Sequence, residues 1–261
     1  MSDLENRVVL VTGGSRGIGA GIVRVLLEKG ADVILHYGRG KAEAEAIAAK
    51  APKGRIRLVQ ADLFEPEAPL ALWDDALAWK GRVDVLVNNA AIRATCGLDE
   101  DFEAVEKAWG DSMRVNAIAP AHLCRLAIAE WKKRDLGKDE ADRAGGVIVN
   151  ISSRPAFRGD RPHFYHDGAS KAAITALTYG LARFEAEHKI TAFAVVPGII
   201  WTEQMEEYKK HYDVSEALAE IPLKEFGSPE DVGRIVAFLA SGEARYSTGS
   251  TIDVGGASYI H

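Results

Sequence analysis

The sequence predicts an α/β protein built on a doubly wound parallel sheet, and three observations support that prediction. Short apolar runs alternate with longer segments of helical periodicity along the 261 residues. The runs are nearly continuous instead of alternating with polar residues, as in strands that helices cover on both faces. The first run also ends in a glycine-rich turn that leads directly into a helical segment. We therefore expect about seven parallel strands with helices on both faces.

Seven apolar runs are predicted to be strands: Val8–Val11, Val33–Leu35, Ile56–Val59, Val83–Val87, Val147–Ile151, Ile190–Val196 and Thr251–Val254. The helical segments between them are Ile18–Lys29, Lys41–Lys50, Glu67–Lys80, Phe102–Arg134, Ala169–His188 and Pro229–Ala240. The chain has no internal repeat and no linker rich in Pro, Gly or Ser, so residues 1–261 are predicted to form a single domain.

Two segments depart from this alternation. Lys132–Arg143 mixes positive and negative charges between a helix and a strand, which is typical of a solvated loop. Thr202–Glu220 is an amphipathic insertion after the sixth predicted strand. Ligands bind at the carboxyl ends of the strands in a doubly wound fold, so this second segment is predicted to be a substrate lid.

The composition is that of a soluble globular protein, with 47% hydrophobic and 27% charged residues. A net charge of −6 gives no reason to expect nucleic acid as a partner. Cys96 and Cys124 lie in unrelated contexts, which favours a reducing compartment and predicts no metal site. The first strand leaves no room for a signal peptide, and no stretch approaches about 18 consecutive apolar residues. We therefore expect a cytoplasmic protein without a membrane span.

The glycine-rich turn has the sequence TGGSRGIG and joins the first strand to the first helix. Glycine is needed there because the backbone must turn sharply and approach a pyrophosphate closely. Free backbone N–H groups and the positive end of the helix dipole then hold that anion. The turn therefore predicts a Rossmann-type dinucleotide site.

The spacing Gly13-x-x-x-Gly17-x-Gly19 resembles that of the short-chain dehydrogenase/reductase family, and similar motifs follow along the chain. NNAA at 88–91 is similar to the family's Asn-Asn-Ala-Gly, except that Ala91 replaces the glycine. RVNAIAP, VIVNISS, PGIIWT and STGSTIDVGGA are similar to further family motifs. The resemblance implies an NAD(P)-dependent oxidoreductase with a small-molecule substrate. It also implies a homotetramer or dimer, built from the long helices and the last strand.

The same resemblance implies a set of cofactor-binding residues. In this sequence they are Gly13, Ser15, Arg16, Gly17, Ile18, Gly19, Asp62, Leu63, Asn89, Ala90, Ala91, Lys171, Pro197, Gly198, Ile200 and Thr202. In the family an aspartate like Asp62 contacts the adenine, and the turn at Pro197 covers the nicotinamide.

The residues after the second strand indicate which nucleotide binds. An acid about 20 residues beyond the glycine turn would bind the ribose 2′-hydroxyl of NAD, but Tyr37 occupies that place. Arg39 and Lys41 follow it, and Arg16 lies in the glycine turn. Guanidinium groups without a competing acid suit the 2′-phosphate of NADP, so NADP(H) is predicted over NAD(H). The alternative is that Arg39 and Lys41 are ordinary loop charges.

The resemblance also implies the catalytic residues. Asn116 corresponds to the asparagine that supports a catalytic water, Ser153 to the serine at a strand end, and Lys171 to the lysine of a tyrosine–lysine pair. The family's tyrosine stands four residues before that lysine, so that both side chains face one pocket. In this chain the position holds Asp167.

Tyr165 is a candidate replacement for the missing tyrosine. It precedes Lys171 by six residues, which places it about 240° round a regular helix and away from the lysine. Gly168 or an irregular first turn would be needed to bring it back.

Asp167 changes the chemistry that we expect. The Lys171 ammonium favours an ionised carboxylate, which is a poor proton donor to a ketone but stabilises a cationic acceptor. A protonated imine is such an acceptor, so reduction of a C=N bond, or amine oxidation in reverse, is one hypothesis. Burial that raised the pKa of Asp167 would instead permit acid catalysis on a carbonyl or activated alkene.

Arg154, Arg158 and Arg161 follow the serine strand, and Arg93 follows the Asn-Asn motif. They are candidates to bind a substrate carboxylate or phosphate; the alternative is that they are loop arginines paired with Asp160 or exposed to solvent. His163 and His166 are candidate proton relays or polar surface residues, and Trp201 is predicted to wall the cleft or only to pack.

Three functions remain open at this point. The first is an NADP(H)-dependent oxidoreductase in which Asp167 takes the tyrosine's role. The second is an ordinary carbonyl reductase or alcohol dehydrogenase that uses Tyr165 or a serine–water relay. The third is a dinucleotide-binding protein without turnover, although the presence of Asn116, Ser153 and Lys171 speaks against it.

Overall fold

The computed structural model describes residues 4–134, 145–210 and 213–260. Its strands are β1 (Val8–Val11), β2 (Asp32–Tyr37), β3 (Ile56–Gln60), β4 (Val85–Asn88), β5 (Gly146–Ile151), β6 (Ile190–Pro197) and β7 (Thr251–Val254). They form one seven-stranded sheet in the order β3-β2-β1-β4-β5-β6-β7. Every neighbouring pair is parallel. The predicted fold class is therefore confirmed.

The α-helices of the described residues lie between and after these strands. They are α1 (Gly17–Glu28), α2 (Lys41–Ala48), α3 (Ala68–Lys80), α4 (Phe102–Met113), α5 (Ala119–Trp131), α6 (Pro155–Arg158), α7 (Tyr165–Phe184), α8 (Glu203–Lys209), α9 (Ser215–Ala219) and α10 (Pro229–Ser241). Helices α8 and α9 lie within the insertion after β6. Most of the charged segment Lys132–Arg143 falls outside the described residues.

The prediction of one helix over Phe102–Arg134 is wrong in detail. A π-helical turn, Arg114–Ile118, separates α4 from α5, and α5 ends at Trp131. Pro120 has no N–H, so an α-helical hydrogen bond to the carbonyl of Asn116 cannot form. The wider turn accommodates this loss and, as in many π-bulges, it carries a candidate functional residue.

Helix α7 begins four residues before the predicted start at Ala169. Asp167 lies in its first turn, where a carboxylate interacts favourably with the helix dipole. Gly168 does not end the helix, and a Cβ there would lie 3.4 Å from Pro155, which is an ordinary van der Waals distance. Asp167 and Lys171 therefore stand one turn apart on one face of a regular helix.

The sheet has an apolar core on each face. Val9 and Val11 belong to one cluster and Val8 and Leu10 to the other, because successive residues of a strand point to opposite faces. On the first face α1 and α10 touch closely at Gly21, where a Cβ would lie 2.3 Å from the Cβ of Pro229.

The sheet topology places the candidate site. All seven strands are parallel, so their carboxyl ends meet at one edge, and β1 and β4 flank the point where the strand order reverses. Ligands of such sheets bind in the crevice outside that point. None of the described helices combines the length and the apolar character needed to cross a membrane.

Candidate functional site

A cleft of about 1770 Å³ runs along the carboxyl edge of the sheet. The structure brings to it most of the residues predicted to bind the cofactor. Those that line the cleft are Gly13, Ser15, Arg16, Gly17, Ile18, Gly19, Arg39, Asp62, Leu63, Asn89, Ala90, Ala91, Pro197, Gly198, Ile200 and Thr202.

Tyr37, Lys41 and Lys171, which were also predicted to bind the cofactor, do not line this cleft. Tyr37 is 7% exposed and packs in the core cluster of the first face, whereas its neighbours His36 and Gly38 line the cleft. Alternation along β2 explains the difference. Lys41 begins α2 and lies 3.8 Å from Glu45, one turn along the same helix.

The glycine turn has the geometry that its sequence predicts. Gly13 and Gly17 have φ values of 63° and 52°, a region that glycine adopts without strain. A Cβ on Gly19 would lie 2.1 Å from the carbonyl oxygen of Gly13 and 2.5 Å from Nδ2 of Asn89. The turn therefore packs too tightly for any side chain at position 19.

Thr12 and Asn89 hold the glycine turn against the end of β4. Thr12 Oγ1 accepts hydrogen bonds from the backbone N–H groups of Asn89 and Ala90, both at 3.0 Å. Asn89 Nδ2 donates to the carbonyl oxygens of Thr12 and Gly13 at 2.9 and 3.0 Å. The sequence analysis identified Asn89 but missed Thr12, whose position before the first glycine was the available signal.

His36 supports the same turn and was also missed. The N–H of Gly13 donates to His36 Nδ1 at 3.1 Å, so Nε2 carries the proton that is donated to the carbonyl oxygen of Ala61 at 3.0 Å. Burial lowers the pKa of His36 to about 4. The imidazole is therefore neutral near pH 7 and acts as a fixed bridge between β1, β2 and the end of β3.

Helix α7 presents Asp167 and Lys171 side by side in the interior. Lys171 Nζ donates to the carbonyl oxygen of Ile151, at the end of β5, at 2.9 Å. Burial lowers the pKa of Lys171 to about 8, and the nearby Asp167 carboxylate acts in the opposite direction.

Asp167 is only 4% exposed. Asn116 Nδ2 lies 3.4 Å from its Oδ1, and a guanidinium nitrogen of Arg93 lies 3.6 Å from its Oδ2. Burial raises the pKa of Asp167, while the positive charges of Lys171 and Arg93 oppose that rise. Asp167 itself does not line the cleft, but Arg93 does.

Asn116 lies in the π-helical turn and joins three elements. Its Oδ1 accepts from the N–H of Ile92 at 2.8 Å, and its Nδ2 donates to the carbonyl oxygen of Ile92 and to Ser170 Oγ, both at 3.0 Å. Ser170, which the sequence analysis missed, donates to the carbonyl oxygen of Asp167 at 2.7 Å. This network fixes the first turn of α7 against the segment after β4.

The other candidate catalytic residues fall in different places. Ser153 lines the cleft at the end of β5. Tyr165 begins α7 with 44% of its surface exposed, and it does not line the cleft. His166 is buried and bonded to the carbonyl oxygen of Ala94 at 3.0 Å, so it is not a surface residue. Trp201 stacks on Phe226 at a centroid distance of 5.0 Å and is also absent from the lining.

All four candidate arginines line the cleft: Arg93, Arg154, Arg158 and Arg161. Arg93 pairs with Asp160 at 3.0 Å and lies 4.0 Å above the ring of Phe164. Arg154 donates to the hydroxyl of Ser258 at 3.0 Å.

The insertion after β6 covers the glycine turn with α8. Glu203 Oε2 accepts a hydrogen bond from the N–H of Gly17, the first residue of α1, at 3.0 Å. A carboxylate thus lies at the amino terminus of α1, where the helix dipole favours an anion. In the part of the chain that the structure describes, no group of three His, Cys, Asp or Glu residues could hold a metal ion.

These features fit a dinucleotide. The turn excludes side chains at Gly19, the N–H of Gly17 binds a carboxylate oxygen at a helix amino terminus, and the cleft is much longer than one side chain.

Comparisons with known proteins agree with this geometry. A family model described as enoyl-(acyl carrier protein) reductase matches residues 13–257. An uncharacterized oxidoreductase of Methylorubrum extorquens is 34% identical over 260 residues, which cover 98% of this chain and 99% of the relative. The 3-oxoacyl-(acyl-carrier-protein) reductase of Staphylococcus aureus is 33% identical, with 96% and 97% covered. The 3beta-hydroxysteroid dehydrogenase 1 of Eggerthella lenta is 33% identical, with 99% and 96% covered.

The matches extend over nearly the whole chain, so they include both the glycine turn and the helix of Lys171. Together with the parallel sheet and the cleft at its carboxyl edge, they establish that the chain belongs to the short-chain dehydrogenase/reductase family and is an NAD(P)-dependent oxidoreductase of that type.

Proposed function

We propose that this protein is an NADP(H)-dependent oxidoreductase in which Asp167 takes the place of the family's tyrosine and faces a C=N acceptor. The observation that carries the proposal is the position of the Asp167 carboxylate: buried, one turn from Lys171 and 3.4 Å from Asn116. Tyr165, the alternative proton donor, begins the helix with 44% of its surface exposed, whereas Asp167 is in contact with Arg93, which lines the cleft.

The cofactor would be held along the cleft by residues of both ends. Along the cleft, the Gly13–Gly19 turn would bind the pyrophosphate and Asp62 the adenine, with the Pro197–Gly198 turn over the nicotinamide. Lys171 is buried and outside the cleft lining, so its assignment to the nicotinamide ribose rests on the family resemblance alone. When bound, NADPH supplies a hydride, and its oxidised form accepts one. Helices α8 and α9 would act as the substrate lid, because residues of both line the cleft.

The acceptor chemistry follows from the charge of Asp167. A protonated imine carries its proton before the reaction, so hydride addition to its carbon yields an amine without a further proton donor. An ionised carboxylate beside the nitrogen stabilises that cation and orients the C=N bond. Lys171 and Arg93 favour the ionised form against the effect of burial on the pKa of Asp167.

Single-turnover oxidation of NADPH with matched cyclic imines and ketones tests this proposal. We expect imines to oxidise the cofactor. Asp167→Asn should then reduce the rate by roughly a hundredfold, the size typical of losing one positioned charged or acid–base group. Tyr165→Phe should leave the rate unchanged, since that phenol is exposed.

The same variants supply the controls. NADPH affinity, measured by fluorescence titration, should be the same in Asp167→Asn and the natural protein within about twofold, which separates a chemical defect from a folding defect. Loss of activity in Tyr165→Phe together with an active Asp167→Asn would overturn the proposal in favour of the tyrosine.

A second candidate, reduction of a carbonyl, is favoured by the effect of burial on Asp167. Burial raises the pKa of its carboxyl, and a protonated carboxyl is an acid that donates to a ketone oxygen. The two candidates differ in the sign of their pH dependence. Imine reduction that needs the carboxylate falls as the pH drops through its pKa, whereas ketone reduction that needs the acid falls as the pH rises through it.

The preference for NADP over NAD rests on the charges at the nucleotide end of the cleft. Arg16 and Arg39 both line the cleft and both are exposed. No acid occupies the end of β2; Glu43, in the first turn of α2, is the next carboxylate along the chain and also lines the cleft. Asp62 lines the cleft as well, so the preference rests on the charge-assisted pairing of the two guanidinium groups with a 2′-phosphate and not on the net charge.

A homotetramer or dimer is supported by exposed apolar side chains on the predicted interface helices. These are Phe102, Trp109, Ile118, Tyr179 and Phe184, on or next to α4 and α7. Large apolar patches on a protein surface usually mark an interface. Light scattering should give a mass above the 28.2 kDa of one chain, and a monomeric peak would contradict this expectation.

A further inference from the structure

Two arginines of the loop after β5 lie where a substrate would reach the catalytic end of the cleft. Arg154 directly follows Ser153, and Arg158 ends α6; both line the cleft. Neither has a role in the proposed hydride transfer, and neither belongs to the glycine turn that would hold the dinucleotide.

The contacts of Arg154 fix the position of its guanidinium. One of its nitrogens donates to Ser258 Oγ at 3.0 Å. That hydroxyl oxygen lies 3.2 Å from the point where a Cβ on Gly198 would be. The guanidinium of Arg154 therefore lies between the end of β5 and the Pro197–Gly198 turn, beside the expected place of the nicotinamide.

The local charges do not balance. Asp160 is an acid of the same loop, but both of its carboxylate oxygens are engaged. One accepts a hydrogen bond from Arg93 at 3.0 Å and the other accepts one from the backbone N–H of Arg161 at 2.8 Å. Among the described residues, no carboxylate lies within 4.0 Å of Arg154 or Arg158, so their charges are not neutralised by an ion pair.

Arg154 is also partly withdrawn from water. Burial lowers its pKa, and the positive charges of Arg158 and Arg93 lower it further, while Glu220 and Asp160 act in the opposite direction. Positive charges that lie close together at a half-buried site repel one another in the unliganded protein. A bound anion would relieve that repulsion. A guanidinium group also has the planar fork of N–H donors that binds a carboxylate or phosphate through two hydrogen bonds.

We propose that Arg154, assisted by Arg158, binds an oxyanion of the substrate, so that the acceptor of this enzyme is an anionic molecule such as an imino or oxo acid. This assignment rests on the proposed function, because it places the anion in the cleft where that reaction would occur. Arg93 is not part of the anion site, since its guanidinium already pairs with the carboxylates of Asp160 and Asp167.

Matched acceptors with and without a carboxylate test the assignment. The pair 1-pyrroline-2-carboxylate and 2-methyl-1-pyrroline shares a C=N ring and differs in charge. We expect kcat/KM to be at least about tenfold higher for the carboxylate, the usual effect of one charge-assisted contact. Arg154→Gln should raise KM for the carboxylate by about tenfold and leave KM for the neutral imine unchanged.

Three further variants separate binding from structure. Arg154→Lys keeps the charge and should recover part of the affinity, since it loses only the fork geometry. Arg158→Gln changes an exposed side chain and should give a smaller effect of the same sign. Arg57→Gln, an exposed arginine on β3 outside the cleft lining, should change neither constant.

A binding measurement distinguishes this inference from the proposed function. Calorimetry on the NADPH-saturated protein would compare succinate, inorganic phosphate and uncharged succinamide. If succinate or phosphate binds and Arg154→Gln abolishes that binding, the anion site is supported even if no imine is turned over. Which of the two anions binds shows whether the site prefers a carboxylate or a phosphate. Equal KM for both imines, with neither anion bound, would overturn the inference while leaving imine reduction intact.

Discussion

The two ends of the cleft are built in different ways. At the nucleotide end, consecutive residues of one turn supply the contacts, and Thr12, His36 and Asn89 hold that turn through its backbone. At the catalytic end, single side chains from separate segments meet around Asp167. A contiguous motif carries its own geometry, whereas the catalytic end exists only once the whole sheet is formed.

The two ends of the cleft also differ in their electrostatics. His36, the titratable group that supports the glycine turn, is neutral because burial lowers its pKa to about 4. At the other end, Asp167 and Lys171 are buried together, and burial raises the pKa of the acid while it lowers that of the lysine to about 8. Substitutions at the first end should therefore act through shape, and those at the second through charge.

Gly19→Ala should have the largest effect, because it attacks the shape of the nucleotide end. The new Cβ would lie 2.1 Å from the carbonyl oxygen of Gly13, which must move. Overpacking of this kind costs about 3 kcal/mol, or roughly a hundredfold in the dissociation constant of NADPH. Fluorescence titration with NADPH measures it.

Gly110→Ala is the matched control for that substitution. Gly110 is also a helical glycine, but a Cβ there would meet no heavy atom within 4 Å. Alanine should leave cofactor affinity unchanged and raise the free energy of unfolding by up to about 1 kcal/mol through helix propensity. Equal NADPH affinity in Gly19→Ala and Gly110→Ala would show that the turn is not what binds the cofactor.

This contrast also explains how much the sequence could predict. The order of strands and helices and the glycine turn follow from local patterns, and they agree with the structure. Counting along the chain singled out Tyr37 at the end of β2, but the alternation of that strand directs Tyr37 into the core and His36 into the cleft.

The catalytic end was less predictable. The motifs located Asn116, Asp167 and Lys171, but no local pattern reveals that Ser170 bonds to Asn116 or that Arg93 contacts Asp167. Those contacts join residues 50 or more positions apart, or depend on a π-helical turn that Pro120 creates. The burial of Asp167, which sets the direction of its pKa shift, is likewise a property of the assembled fold.

Arg93→Met should have the next largest effect and act through charge. Arg93 favours the ionised form of Asp167, so its removal raises the pKa of that carboxyl. If the ionised carboxylate is the active form, imine reduction reaches its full rate only above that pKa. The acid limb of the kcat profile should therefore move to higher pH, and the rate on that limb should fall by about tenfold for each pH unit of the move.

Arg161→Met is the control for Arg93→Met. Arg161 lines the same cleft but is exposed and is not among the charges that shift Asp167. Its profile should match that of the natural protein. A shift of the acid limb to lower pH in Arg93→Met would contradict the view that Arg93 keeps Asp167 ionised.

Arg39→Gln sharpens the comparison at the nucleotide end, because it removes a charge that would face the 2′-phosphate of NADP. The exposed Arg39 lines the cleft, and its loss should weaken NADPH binding by about 1 kcal/mol, or roughly fivefold, while NADH binding stays the same. The measurement is the ratio of the two dissociation constants. Lys41→Gln, at a residue outside the lining, should leave that ratio unchanged, and equal losses for both nucleotides in Arg39→Gln would remove the argument for NADP.

Glu203→Gln should have the smallest effect and the opposite sign. The Glu203 carboxylate accepts from the N–H of Gly17 at the amino terminus of α1, the place expected for the pyrophosphate. An anion at a helix terminus contributes about 0.6 kcal/mol, so removing the charge that competes with the cofactor should tighten NADPH binding by roughly threefold. The gain should shrink as salt is added, because exposed charges are screened.

Glu206→Gln, one turn further along α8, is the control, since it removes the same charge from the same exposed helix without a described contact to the glycine turn. It should change NADPH affinity by less than Glu203→Gln at every salt concentration. Weaker binding in Glu203→Gln would mean that the carboxylate holds α8 in place for the cofactor instead of competing with it. Glu203 would then join Asn89 as a side chain from a distant segment that supports the glycine turn.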